Sequence, residues 1–397
     1  MKYFFSLILF ITLSIGAYSQ HVDDWKITAT DFSEPYFGIT IANGMIGLVS
    51  SPEPMKIKDV VLNGVYDAYE RGRVANILKG FNFVDMDLKV DGNRVNKSSI
   101  SNYSQTLDMR NAVLITKFSL DKKLEVIHEV RALRHLPFTS LINVSLKALS
   151  NISVRSINNI KAPNHLGDVR NTYAVIERPH ISIPLMSSQA NSPTGKVKVA
   201  TSVSYIVPNN HFFAKEVTHI DWDYNMHYMT FVKDLQAGEK FEFAVVGSEI
   251  SSTEVPDALN EAERLTLFAT LEGTDRLLQK HNAVWKELWK SDIIIEGNTQ
   301  DQQDIHSFLY HLYSFARANT AYSLSPMGLS GLGYNGHIFW DTEVWMFPPL
   351  VMLQPEIAKS LLEYRWEMLD MAKYNAFAHG YKGAMFPWES AGTCRLA

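Results

Sequence analysis

The segment Phe339-Trp340-Asp341-Thr342-Glu343 sets carboxylates beside an indole, and Trp388-Glu389 repeats the pairing about fifty residues on. That pairing suits a sugar. The acid accepts paired hydrogen bonds from vicinal hydroxyls, while the ring covers the apolar C–H face. A buried Trp beside a helix-capping Asp would look the same on spacing alone, and the recurrence of the theme favours the sugar. Asp341 and Glu343 are alternate residues, so in extended chain their side chains would point the same way.

Other chemistries fit less well. Gly328, Gly331, Gly333 and Gly336 follow no strand and lack a Gly-Lys-Ser/Thr ending, which argues against a phosphate cradle. Glycines so spaced suit backbone passing close to a ligand or folding under a neighbouring helix. The chain has 13 histidines. No His-Glu-x-x-His occurs, and His306 and His311 are five apart, which puts them on different helix faces. They read as solvated or core residues. There is no Gly-x-Ser-x-Gly elbow for serine hydrolysis. Metal, nucleotide and flavin cofactors find no support.

These residues need a scaffold, and the chain is long enough to build one. Its 397 residues suit two or three domains. With 46% hydrophobic and 20% charged residues it matches ordinary globular chains, against a disordered, coiled-coil or collagen-like one. Lys plus Arg total 37 against 42 Asp plus Glu, a net charge of −5 without a basic run, so nucleic acid is not an expected partner. The lone cysteine, Cys394, allows no internal disulfide.

Residues 1–19 read as a signal peptide. Lys2 precedes an apolar run over residues 3–15, and Ala17-Tyr18-Ser19 fits a small-x-small cleavage site before Gln20. The run is too short for a membrane span, and no cysteine stands at the cleavage point to carry a lipid anchor. Export to the periplasm or medium is expected, with no membrane anchor.

Over residues 20–255 hydrophobicity has period two. Ile142, Val144, Leu146 and Ala148 form one stripe. Leu114, Thr116, Phe118 and Leu120 form another, which Asp121-Lys122-Lys123 turns into residues 124–130. Such strands predict an antiparallel β-sandwich with one face of each sheet buried. Near Pro256, expected in a first helical turn, the period becomes helical with Leu259, Ala262, Leu265 and Ala269. A second helix is predicted from Thr274 and a short strand over residues 291–296. Further helices are predicted over about 301–319 and from Pro355 through Ala372. Strands followed by helices imply separate domains. The boundaries expected are a sandwich over 20–255, a helical linker over 256–298 and a helical domain over 299–397.

The segments from Gly333 to Glu343 and from Gly380 to Ala391 resemble glycoside hydrolase family 65, which holds disaccharide phosphorylases, acid trehalases and protein-glucosylgalactosylhydroxylysine glucosidase. Trp345-Met346-Phe347-Pro348-Pro349 and Leu362-Glu363-Tyr364-Arg365 are most similar to the last of these and its bacterial relatives. The resemblance implies an N-terminal sandwich, a helical linker and an (α/α)6 barrel that this chain only begins. It implies inverting cleavage of a terminal α-glucosyl unit, by water in a hydrolase or by phosphate in a phosphorylase. Trp340, Asp341, Trp388 and Glu389 would bind the glucosyl unit.

The family's general acid is a Glu more than a hundred residues beyond the Trp-Asp motif, which places it past residue 397. The similarity also breaks at Cys394-Arg395-Leu396-Ala397, for which a frameshift or a fragmentary gene is the expected cause. Faces such as Leu361, Leu362, Leu369 and Ala372 would then lack cover, and poor solubility past residue 300 is expected. Export favours the hydrolase, because glucose 1-phosphate made outside the cytoplasm is lost. A carbohydrate-binding remnant without turnover is the alternative from another class. Nothing in the sequence fixes linkage, aglycone or oligomeric state.

Overall fold

In the computed structural model the described residues are 23–31, 38–69, 74–330 and 333–391. The leader at 1–19, Gly331 and Cys394 lie outside them. The described residues up to Ser251 are almost all antiparallel sheet. A nine-stranded sheet has Thr139–Ala148 near its centre, paired with Leu124–Ala132 on one side and Lys240–Ser251 on the other. Opposite it lies a five-stranded sheet built around Ile152–Lys161 and Met226–Leu235. Their inner faces share one core. Phe231 of the smaller sheet meets Phe243 of the larger edge to face, with ring centroids 5.1 Å apart. A four-stranded sheet, running from Thr40–Ala42 to Ala75–Lys79, leads toward the helical part.

The alternating stripe at 142–148 is realised residue by residue, with Ile142, Val144, Leu146 and Ala148 buried and the residues between them not. Elsewhere the expectation of one buried face fails. Lys240–Ser251 is buried on both faces from Phe243 onward. The reason is helix α1 (Ala258–Glu272), which lies on the outer face of the sheet. Ala258 and Ala262 pack there on Ala200 and Ile250, and Ala269 packs near Val246. Small side chains let the helix sit close.

Helix α1 starts later than the sequence suggests. Asp257 accepts from the Asn260 N–H at 3.2 Å and caps it, which leaves Pro256 outside the first turn. Helix α2 (Thr274–Leu288) follows at the expected place and buries Leu277, His281 and Trp285.

No strand forms over residues 291–296. No neighbouring edge pairs with it, and the Gln302 side chain satisfies the backbone instead. Gln302 Oε1 accepts from the Ile295 N–H at 2.6 Å, and its Nε2 donates to Ile293 O at 2.9 Å. Helix α3 (Thr299–Phe315) is capped by Asn298 and ends four residues early. Just past its end the chain meets the sandwich, where Arg134 donates to Ala316 O at 2.8 Å.

The region beyond α3 is less irregular than its sequence implies. A π-helical turn, Thr342–Met346, runs directly into helix α4 (Phe347–Leu353), whose Pro348-Pro349 lie where a helix start tolerates them. The helix from Pro355 breaks at Met368 into α5 (Pro355–Glu367) and α6 (Leu369–Ala378). Leu361 and Ala372 are buried, contrary to expectation, whereas Leu362 is 48% exposed, as are Trp366 and Phe377 more fully.

Two glycines of the 328–336 loop fold under neighbouring elements. Gly328 (φ +54°) lies against the Phe315 ring of α3, and Gly336 (φ +68°) lies against Ile77 of the sandwich. Gly328→Ala adds a left-handed backbone penalty to a clash with that ring, and is expected to cost about 2–4 kcal/mol of stability. A thermal melt matching that of the unsubstituted chain would contradict this.

Candidate sugar-binding site

A ladder of two residues on each strand assembles the site. Ile338–Phe339 pairs antiparallel with Glu389–Ser390, with Ile338 opposite Ser390 and Phe339 opposite Glu389. Trp340 therefore leaves one strand where Trp388 enters the other. Their ring centroids lie 5.5 Å apart at 48°, and both indoles are exposed, 42% and 66%. The two Trp-carboxylate clusters of the sequence meet at one place.

Asp341 and Glu343 are not in extended chain. Asp341 has helical φ/ψ (−51°, −35°) and leads into the π-helical turn, so the two carboxylates part. Among the described residues nothing hydrogen-bonds the half-buried Asp341 carboxylate. Glu343 is fully engaged by Arg365 of α5, whose Nε donates to Oε1 at 2.7 Å and whose second nitrogen donates to Oε2 at 2.9 Å. The same guanidinium donates to Phe339 O at 3.1 Å and so fastens the strand to the turn. Glu343 is a structural acid. Thr342, fully buried, anchors the turn from below by donating to Leu324 O at 2.6 Å.

Glu389 is half-exposed, and its Oε2 lies 3.1 Å from Nδ1 of His337. His337 is buried, and its other nitrogen, Nε2, faces Ala75 O of the sandwich at 2.5 Å. Tyr66, also of the sandwich, donates to Gly336 O at 2.8 Å. On the far strand the Tyr364 hydroxyl meets Ser390 Oγ at 2.7 Å, and the Met385 N–H donates to Ala372 O at 2.8 Å, which pins the 380–388 segment to α6. His337 and Arg365 are the residues that sequence reasoning missed. Each lay inside a quoted motif, but its partner is distant in the chain.

Two exposed indoles in an open V, and a carboxylate that has no partner among the described residues, form a surface that can take the C–H face of a hydroxylated ring. Among the described residues no group of three His, Cys, Asp or Glu is placed to hold an ion. His306 is a core histidine, stacked on Trp25 at 3.7 Å. A cavity of about 950 Å³ lies there, far along the chain from the indole pair. Its two tryptophans are already committed, Trp25 between Arg110 and His306, and Trp289 donating to Met109 O. No helix among the described residues is long and apolar enough to cross a membrane.

Residues 38–288 match the N-terminal domain of glycosyl hydrolase family 65, and residues 306–395 match that family's central catalytic domain. A kojibiose hydrolase of Flavobacterium johnsoniae is 47% identical over 394 residues, covering 98% of this chain and 58% of its own length. Protein-glucosylgalactosylhydroxylysine glucosidase of Dictyostelium discoideum is 38% identical over 164 residues, 40% of this chain and 23% of its own. A solved structure, a candidate kojibiose phosphorylase from the human microbiome, superposes with a TM-score of 0.75 at 16% identity. It covers 94% of this chain and 52% of its own, and shares the fold.

Proposed function

This chain belongs to glycosyl hydrolase family 65, and we propose that it forms the sandwich and the glucosyl-binding wall of an exported, inverting α-glucosidase. The observation that carries this is the pairing of Phe339 with Glu389, which joins both Trp-carboxylate clusters. In this reading Trp340 and Trp388 cover the sugar's C–H faces, while Asp341 and Glu389 accept from its hydroxyls. The substrate is a disaccharide with a terminal α-glucosyl unit, or glucosylated hydroxylysine. The kojibiose hydrolase relative weighs toward the disaccharide.

Inversion needs a carboxylic acid on the leaving oxygen and a second carboxylate activating water on the opposite face, about 6.5–9.5 Å apart. Glu343 is engaged with Arg365, and the resemblance to the family implies a general acid in sequence beyond residue 397. The chain spans 58% of the Flavobacterium relative's length. In this reading the present residues grip the glucosyl unit, and the acid that the resemblance implies comes from further sequence.

Two measurements test this. The full-length product is expected to release glucose from kojibiose at a rate independent of added phosphate, and a strict phosphate requirement would make it a phosphorylase instead. The 397-residue chain is expected to bind kojibiose with no glucose release. Turnover by that chain would place the acid within it.

A further inference from the structure

The His337 ring is buried with both nitrogens against oxygen. A carbonyl oxygen only accepts, so Nε2 carries the hydrogen it gives to Ala75 O. Nδ1 faces Glu389 Oε2 at 3.1 Å, within hydrogen-bond distance. The contact orients the carboxylate. The second oxygen of Glu389 has no partner among the described residues and is free for a ligand. Tyr66 closes another side of the imidazole, with ring centroids 6.5 Å apart, while its hydroxyl holds Gly336 O.

We propose that His337 is a positioning residue: through Nδ1 it fixes the Glu389 carboxylate for the glucosyl hydroxyls, using the sandwich strand Ala75–Lys79 as its fixed point. The inference rests on the proposed glucosyl site. It assigns the β-sandwich a part in sugar recognition, carried by a backbone carbonyl 262 residues away in the chain.

Two amides separate the two contacts. The amide nitrogen of asparagine falls near the place of Nδ1, and that of glutamine near the place of Nε2. With the 397-residue chain and kojibiose as the probe, His337→Asn, which keeps the contact with Glu389 but gives up the fixed point at Ala75, is expected to lose about threefold in affinity, and His337→Gln about tenfold. A purely structural tether to Ala75 gives the reverse order and overturns the proposal. In a Glu389→Ala background His337→Gln is expected to cost nothing further; additive losses also overturn it.

Should His337→Gln fail to fold, the Glu389→Ala chain alone decides. The ¹⁵N resonance of His337 Nδ1 is expected to move when the carboxylate is removed, and an unmoved resonance overturns the proposal. Absence of kojibiose binding by the unsubstituted chain overturns the site reading and this inference together. Binding that is indifferent to both amides overturns the inference alone.

Discussion

Asp341→Ala is expected to weaken kojibiose binding on the order of a hundredfold, about 3 kcal/mol, and to leave thermal stability unchanged. The carboxylate makes no hydrogen bond within the described protein, so its removal breaks nothing in the fold. Its value lies in charged hydrogen bonds to a ligand. Glu343→Gln, two residues away, is expected to behave oppositely. It breaks the two-pronged contact with Arg365, whose side chain is only 12% exposed and would be left with a largely uncompensated charge. We expect a loss of about 2–3 kcal/mol in stability, smaller than for a fully buried pair because Glu343 is partly solvated. Calorimetric binding and thermal melts on both variants check the contrast. Equal losses of stability would refute the assignment of Asp341 to ligand and Glu343 to scaffold.

A second large effect concerns pH. Glu249 is wholly buried in the strand Lys240–Ser251, and burial pushes its carboxyl well above the ordinary value of 4.5. One oxygen accepts from the Phe81 N–H at 2.5 Å, which only partly offsets this. The native state therefore keeps a proton that the unfolded chain releases. With the folded value raised, Glu249's contribution is full below the unfolded value and is lost as pH rises toward the folded one. Glu249→Gln has the same shape and no ionisation. Its stability relative to the unsubstituted chain is expected to climb above pH 4.5 by up to about 1.4 kcal/mol per pH unit. Denaturant melts of both chains between pH 4.5 and neutrality measure the difference. A constant difference would mean that Glu249 is ionised in the fold.

Local patterns carried much of the architecture. Alternation in 114–130 and 142–148 is a property of each strand against one core, so it could be read directly. It could not show that α1 would cover the outer face over Lys240–Ser251, because that depends on a helix arriving from later in the chain. Ile293-Ile294-Ile295 has strong strand character, yet with no edge to pair with it became irregular chain held by Gln302. Pro348-Pro349 concealed α4, since prolines that break a helix interior are compatible with its first turn. At the site, Trp340-Asp341 and Trp388-Glu389 announced themselves by adjacency. Their meeting, and the roles of His337 and Arg365, depend on contacts across 52 and 22 residues that no periodicity encodes.

The bond from His337 to the carbonyl of Ala75, with that from Tyr66 to the carbonyl of Gly336, bears on how such a protein can be recombined. Both cross from sandwich to helical part and both involve backbone oxygens, so what must match is the path of the chain more than the identity of a side chain. A helical part grafted onto an unrelated sandwich would keep Trp340, Asp341, Trp388 and Glu389 and still present its acid in the wrong pose. The two halves are thus a single unit of inheritance, and a crossover point between them, however tidy in sequence, would divide one site.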